Sequence, residues 1–457
     1  MGQLFGTDGV RARAGEYPLD YPTIFNLGKS LIYLFKNKTS QPRTLIGWDP
    51  RESSPWIAKV IAEGIASAGG LAELAGVLPT SAISFLTRLH RYEAGIVVSA
   101  SHNPYEDNGI KIFQSDGFKL KDSQEEILEK MILEKNYESF DQKFKANQLA
   151  LENFFIKKNF QIDLEKDYLQ FLSQNFIPGR LSTGLKIVID CSNGASSTIA
   201  PHLFDQLGFQ VKVINNQPDG RNINANCGSL FPEGLSKKVL QEQADLGVAY
   251  DGDADRAILV DEKGRILNGD FTLFIQARWF QQRKKLRSPY IVATVMSNMG
   301  LEIALSRLGL KLIRSKVGDR YVLEEMLRRR ASLGGERSGH TIFLDILPAG
   351  DGLLTSLKIV ETMIESGLKL SELAADLIEF PQLLINVPVS RKTNFSEIPG
   401  FETTIKLIRE KLGPFGRIEV RYSGTEPVVR VMVEGEDEEL VKQSAQEIAA
   451  LIKKYLG

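Results

Sequence analysis

The hexapeptide Asp251-Gly252-Asp253-Ala254-Asp255-Arg256 sets three carboxylates at alternate positions directly behind the apolar run Leu246 to Tyr250. Carboxylates crowded this closely repel one another unless a cation or a basic partner sits among them. An acidic turn and a hard-cation site are the competing readings. An EF-hand loop fails on backbone grounds, although Glu262 stands at its twelfth position. Its sharp turn needs Gly at position six, where Arg256 stands, and Ala257 to Val260 reads as a strand. A Mg2+-type ion, held by a few carboxylates and completed by a phosphate oxygen, suits the pattern better.

A second group is Ser99-Ala100-Ser101-His102-Asn103-Pro104, followed by Asp107-Asn108-Gly109-Ile110-Lys111. Alone, a Ser-rich turn before Pro is only a turn. Beside a lysine and a carboxylate-bound metal, a strand-end serine hydroxyl completes the parts of a phosphoryl-transfer site. A Ser-His-Asp hydrolase is less natural, because the chain has no G-x-S-x-G elbow. Third, Arg421-Tyr422-Ser423-Gly424-Thr425-Glu426-Pro427, with Arg430 beyond, brackets two hydroxyls and a Gly between two guanidinium forks. Such a turn suits a phosphate dianion; the plain alternative is a strand connection. Fourth, Gly334-Gly335-Glu336-Arg337-Ser338-Gly339-His340 offers groups suited to sugar hydroxyls, and by itself is a weak signal. Gly6-Thr7-Asp8-Gly9-Val10-Arg11 is equally ambiguous alone. His90 and His202 lie in helix-like surroundings without metal-ligand spacing and read as structural.

These groups need strands to position them. Leu45-Ile46, Ile96 to Val98, Ile187 to Ile189 and Leu246 to Tyr250 are short apolar runs that each open into a polar or Gly-containing turn. They alternate with helix-period stretches, the pattern of helices covering both faces of mostly parallel sheets. Ligands bind at the carboxyl ends of such strands, where the first two groups fall. The composition shifts predict four domains: 1–155 with the serine loop, 156–256 ending on the acidic loop, 257–372 with the Gly-rich loop, and 373–457 with the arginine-flanked turn. A helical stretch is expected over residues 122–158, a hairpin at 257–267 opening the third domain, and helices at 352–366 and 370–378. The last domain reads as α+β: strands at 383–389, 418–422 and 428–434, with helices at 401–412 and 438–455.

The 457 residues exceed one hydrophobic core, which stops growing near ~250–300 residues. Lys plus Arg number 56 against 57 acidic residues, so no global field draws in nucleic acid or anionic lipid, and anion recognition must be local. The basic triplets at 283–285 and 328–330 lack interleaved aromatics and read as solvated helix faces. Two cysteines, Cys191 and Cys227, exclude a disulfide framework and a four-cysteine zinc site and suit a reducing compartment. No stretch reaches the ~18 apolar residues of a membrane helix, and the first residues lack a signal pattern. The expectation is a cytoplasmic protein that binds neither membrane nor nucleic acid.

Eight strings stand in one order: GTDGVR, SASHNP with DNGIK, NINANCGS (222–229), DGDADR, VATVMSN (292–298), VGDRY (317–321), GGERSGH and SGTEP. Together they resemble the α-D-phosphohexomutase superfamily over essentially the whole chain. The resemblance implies three related mixed-sheet α/β domains and a C-terminal α+β domain around a central cleft. It implies that Ser101 is phosphorylated in the active protein, and that Asp251, Asp253 and Asp255 hold one Mg2+ together with that phosphate on Ser101. Lys111 is then the general acid/base, with Arg256 near the transferring group and Arg11 and His340 completing the cleft. Glu336 and Ser338 would grip sugar hydroxyls, while Arg421, Ser423, Gly424, Thr425 and Arg430 clamp the phosphate that does not react.

Within the superfamily the likeness is to members acting on hexosamine phosphate. The implied reaction interconverts D-glucosamine 6-phosphate and D-glucosamine 1-phosphate through a bisphosphorylated sugar that turns around in the cleft, and supplies UDP-N-acetylglucosamine for the bacterial cell wall. A homodimer is compatible with it. Glucose or mannose phosphates as substrates, and a non-catalytic sugar-phosphate-binding protein, are the alternatives. The chain departs from the family pattern at Leu230-Phe231 (usually Thr-His), Pro348-Ala349 (usually Thr-Thr) and Arg337 (usually Gln or Asn), the last expected to face solvent.

Overall fold

The computed structural model describes residues 4–6, 8–35, 41–134, 160–176, 184–423 and 427–457, and resolves the apolar runs into strands of four sheets. The first contains β1 (Val10–Arg13), β2 (Arg43–Trp48), β3 (Leu71–Val77), β4 (Ala94–Val98) and β5 (Asp107–Gln114), in the order β1-β5-β4-β2-β3. The second contains β6 (Lys186–Asp190), β7 (Gln210–Ile214), β8 (Leu246–Tyr250), β9 (Ala257–Asp261) and β10 (Ile266–Leu267), in the order β10-β9-β8-β6-β7. The third is β12-β11-β13-β14, from β11 (Tyr290–Thr294), β12 (Lys311–Ser315), β13 (Leu333–Gly335) and β14 (Thr341–Phe343). The fourth, β15 (Gln382–Pro388), β16 (Arg417–Tyr422) and β17 (Val428–Glu434), is antiparallel throughout with β17 central.

β4, β8 and β9 are buried along their whole length, so their apolar runs are unbroken rather than alternating. The pleat still divides them: Ile96 and Val98 face the helices Tyr21–Phe35 and Ser54–Ser67, while Val97 faces the opposite core. That second core is continuous from the first domain into the second and third, through Tyr168, Phe171 and Leu172 of the helix Phe160–Gln174. In the last domain, Val441, Ala445, Ile448 and Ile452 form the buried stripe of the helix Glu438–Leu456, which starts where Asp437 accepts the Leu440 N–H.

Two expectations change. The hairpin Ala257 to Leu267 does not open the third domain: β9 pairs antiparallel with β8, so the second sheet continues past residue 256. Its residues are as apolar as β8, and an edge beside β8 buries them. The helix expected over 370–378 spans only Leu370–Leu373. The helical stretch after Asp122 is seen as Asp122–Glu134; its continuation lies outside the described residues. No helix among the described residues is long and apolar enough to cross a membrane.

Candidate active site

The β4–β5 loop carries Ser101, the β8–β9 loop the three aspartates, and the β13–β14 loop Glu336 to His340. Each leaves a strand that is parallel to one neighbour and enters a strand antiparallel to it, so the three are the same joint in three related sheets. The fold brings these joints together. Ser101 Oγ donates to Asp251 at 2.6 Å, Thr80 Oγ1 donates to Asp253 at 2.6 Å, and the Ala257 N–H donates to the Gly339 carbonyl at 3.2 Å. Arg256 bridges to His340 through the backbone. A Cβ at Gly252 would fall 2.5 Å from the Ser101 carbonyl oxygen, so only glycine lets the serine and aspartate loops touch.

All three aspartates are buried, and their oxygens lie within 4.8 Å of one another. Lys111, itself buried on β5, reaches Asp253 at 2.9 Å, Asp255 at 3.3 Å and Asp8 at 3.4 Å. Asp8 pairs with Lys119, Lys119 with Asp319, and His340 stands 3.8 Å from Asp319 and 3.6 Å from Asp255. The result is a closed ring of alternating charge, Lys111–Asp8–Lys119–Asp319–His340–Asp255, drawn from three domains. Burial opposes charge on Lys111, but Asp253, Asp8 and Asp255 outweigh it and hold the ammonium well above its usual range. Burial likewise opposes the His340 imidazolium, yet Asp255 and Asp319 push it up to about 9. His102, whose Nδ1 is 3.4 Å from Ser101 Oγ, is driven down to about 3 by Arg256 and by burial, and is neutral. Arg11 pairs with Asp8, and Arg256 Nε lies 3.8–3.9 Å from Asp255 and Asp251.

The aspartates fit a small divalent cation. Asp253 Oδ1 and Asp255 Oδ1 are buried with no hydrogen-bond partner among the described residues. Burial, then the charges of Asp255 and Asp253, raise Asp251 well above the usual carboxylate range. A hard cation among them would satisfy the bare oxygens and bring Asp251 down.

On the β13–β14 loop, Glu336 accepts from the Gly318 N–H at 3.0 Å and from Ser338 Oγ at 3.3 Å. A Cβ at Gly350 would strike the His340 ring at 2.2 Å, so the glycine after Pro348-Ala349 makes room for that imidazole. Arg337 does not face solvent as expected. It pairs with buried Asp270 at 3.3 Å and with Glu379 at 2.7 Å, because Asp270 at the start of the helix Gly269–Gln282 is otherwise a buried carboxylate short of a cation. Leu230 and Phe231 are exposed.

The remaining candidates gather separately on the β16–β17 hairpin. Arg421 and Arg430 are directly opposite cross-strand partners. Burial and then the Arg430 charge lower the Arg421 guanidinium, and its Nε is buried with no hydrogen-bond partner among the described residues. Like charges placed face to face destabilise a sheet unless an anion lies between them. Ser423 is buried and its N–H donates to Val428 O; Gly424 and Thr425 lie outside the described residues.

Comparison with known proteins accounts for every one of these sheets. Four family models match in order: "Phosphoglucomutase/phosphomannomutase, alpha/beta/alpha domain I" over residues 2–139, domain II over 166–264, domain III over 268–380, and the C-terminal domain over 384–451. The chain belongs to the phosphoglucomutase/phosphomannomutase family. Among curated members of that family, it is 46% identical over 459 residues to the phosphoglucosamine mutase of Syntrophus aciditrophicus, covering 100% of both chains. It is also 46% identical over 464 residues to that of Caldicellulosiruptor bescii, again covering 100% of both. The fold matches a solved phosphoglucomutase/phosphomannomutase family protein from Burkholderia thailandensis with a TM-score of 0.78 at 22% identity, covering 99% of this chain and 98% of that one.

In this family member several residues join the site that sequence reasoning passed over. Asp8 and Asp319 sat inside the strings GTDGVR and VGDRY without a role, whereas Lys119 carried no local signal at all. Asp49 and Arg51 follow β2 as a strand-end turn, and Asn224 lies in NINANCGS. His90 and His202 pair with Asp167 and Glu165 at the surface of the helix Phe160–Gln174, away from the aspartate loop.

Proposed function

We propose that this family member interconverts D-glucosamine 6-phosphate and D-glucosamine 1-phosphate through a phosphoryl group carried on Ser101. The observation that carries the reading is the buried 2.6 Å contact from Ser101 Oγ to Asp251, inside a trio of carboxylates with bare oxygens. Full-length relatives named phosphoglucosamine mutase support the choice of sugar. A Mg2+ ion held by Asp251, Asp253, Asp255 and the phosphoryl on Ser101 would offset negative charge on the transferring oxygens.

The P–O bond at Ser101 Oγ breaks as a P–O bond to the free sugar hydroxyl forms. Lys111, held protonated by its aspartates, gives a proton to the departing serine oxygen and regains one from the attacking hydroxyl. One phosphoryl thus moves to the sugar and one proton to the serine. The bisphosphorylated sugar then turns around and returns its other phosphoryl to Ser101 by the reverse exchange. Arg11, Arg256 and His340 surround the transferring group with positive charge, and Glu336 and Ser338 accept and donate to sugar hydroxyls. Arg421, Ser423, Gly424, Thr425 and Arg430 hold whichever phosphate is idle. The 1-phosphate product suits cytoplasmic synthesis of UDP-N-acetylglucosamine.

Incubation with glucosamine 1,6-bisphosphate and Mg2+ should add one phosphoryl by intact mass, mapping to Ser101. Glucosamine 6-phosphate should then turn over faster than glucose or mannose phosphates. No phosphoryl on Ser101, or a preference for the latter sugars, defeats the reading.

A further inference from the structure

Ser101 is held in the left-handed backbone region, φ 53°, which a residue with a Cβ adopts only when its surroundings enforce it. Two side chains grip its loop through the same two carbonyl oxygens. Arg51, fully buried, donates from Nη2 to Ser101 O at 3.1 Å and to Asn103 O at 2.6 Å, and from Nε to Pro104 O at 3.4 Å. From the second domain, Asn224 Nδ2 donates to Ser101 O at 2.9 Å and Asn103 O at 3.1 Å.

Each grip is itself fixed. Asp49 pairs with Arg51 and accepts from Ser54 Oγ and Ser99 Oγ, and Ser99 Oγ accepts from the Ser101 N–H at 2.9 Å. Ser192 Oγ donates to Asn224 Oδ1 at 2.6 Å, so the amide can only present its NH2 to the two carbonyls. Asn224 is also left-handed, φ 59°, and its N–H donates to Ser192 O.

We infer that Asn224 and Arg51 are positioning residues for the phosphoryl carrier: a domain-II amide and a domain-I guanidinium lock the left-handed Ser101 backbone so that Oγ stays aimed at the aspartate trio. This rests on the phosphoserine reading above. It gives the NINANCGS string a task, since that segment delivers the one side-chain donor seen, among the described residues, to reach the Ser101 and Asn103 carbonyls from across the domain seam.

The test compares wild type with Asn224→Asp, Asn224→Ala and Arg51→Lys. Phosphoryl uptake from glucosamine 1,6-bisphosphate with Mg2+ is followed by intact mass, steady-state kcat and KM are measured separately, and folding is checked by thermal denaturation. Asn224→Asp keeps the shape but sets a carboxylate oxygen against two carbonyls. Its kcat and uptake rate should fall about 10²-fold, with KM within about threefold, the split expected when a reacting group is misaimed rather than a substrate released. Asn224→Ala, which deletes the two bonds to the carbonyls and the acceptor of Ser192 Oγ without adding a charge, should lose about tenfold. Arg51→Lys should show the same split, since a single ammonium cannot fork to the carbonyls and Asp49 together; it decides the matter if Asn224→Asp does not fold. Folded variants within about threefold of wild-type kcat, or a rise in KM at constant kcat, overturn the inference. If wild type itself takes no phosphoryl on Ser101, the phosphoserine reading falls and this inference with it; if wild type takes it and the variants match, only the positioning role is lost.

Discussion

The Ser101 cluster and the β16–β17 hairpin, the two regions proposed above to meet phosphate, are built in opposite ways. The first is assembled from three domains: Ser101, Lys111, Asp8 and Lys119 come from one, the aspartates and Asn224 from the next, and Asp319 and His340 from the third. Its polar atoms are buried and mostly committed to one another. The second is made within one hairpin, where the register alone sets Arg421 opposite Arg430. Its ties to the third domain run through the end away from the turn, where Arg417 donates to Val295 O and Ser297 O at 2.7 Å and Glu434 accepts from the Met299 N–H at 2.7 Å. A reacting group must be fixed to within a fraction of an ångström, whereas an idle dianion needs only donors of the right charge. The contrast suits the proposed function, in which chemistry happens at the Ser101 cluster while the hairpin holds either phosphate in turn.

Ser101→Ala puts the greatest strain on that contrast. Turnover should fall by at least about 10⁴-fold while sugar-phosphate binding, measured by calorimetry, remains within reach, because the acceptor is lost and the clamp is not. Turnover within tenfold of wild type would show that the cross-domain cluster is not where the phosphoryl is carried. Arg421→Ala should act in the other sense. KM should rise about 10–100-fold, the loss of one charged hydrogen-bonding group, with kcat changed much less because the idle phosphate is held equally in ground and transition states. A fall in kcat at constant KM would erase the division of labour between the two regions.

The smallest effect sharpens the account of the seam itself. Ser81, Tyr168 and Asp351 form a buried chain across three helices, with contacts of 2.8 Å, and Asp351 caps the helix Gly352–Ser366. Burial raises Asp351 from 3.8 to about 6 in the folded protein, against the hydrogen bonds from Leu354 and Tyr168. Because the folded value is the higher one, the stabilisation is complete below pH 4 and is lost as pH rises through about 6. An amide in place of this carboxyl would mimic the protonated form and still accept from the Leu354 N–H. Asp351→Asn should therefore match wild type in thermal melts near pH 4 and melt roughly 2 °C higher near pH 7. A gap that widens toward acid would reverse the sign and reject this account of the buried carboxyl.

Local chemistry made much of this legible in advance. Continuous apolar runs ending in polar turns located β4 and β8, since a strand buried on both faces has no reason to alternate. The strands expected at 418–422 and 428–434 are there on either side of the arginine-bracketed turn, and they pair with each other because a hairpin's partners are neighbours in sequence. The hairpin at 257–267 was equally visible, but its allegiance was not: only the pairing of β9 with β8 shows which sheet it extends. Arg337 was assigned to solvent for a similar reason, as its partners Asp270 and Glu379 are 67 and 42 positions away along the chain.

By itself, then, the order of residues determined the α/β sheets, the α+β last domain and the family, because each depends on patterns a few residues long. Tertiary structure alone decided that Lys119 would close a ring with Asp8 and Asp319, that Asn224 would reach the serine loop, and that Gly252 and Gly350 would admit a carbonyl and an imidazole. These depend on where three similar sheets come to rest against one another, and packing between distant segments leaves no periodic trace in any one of them.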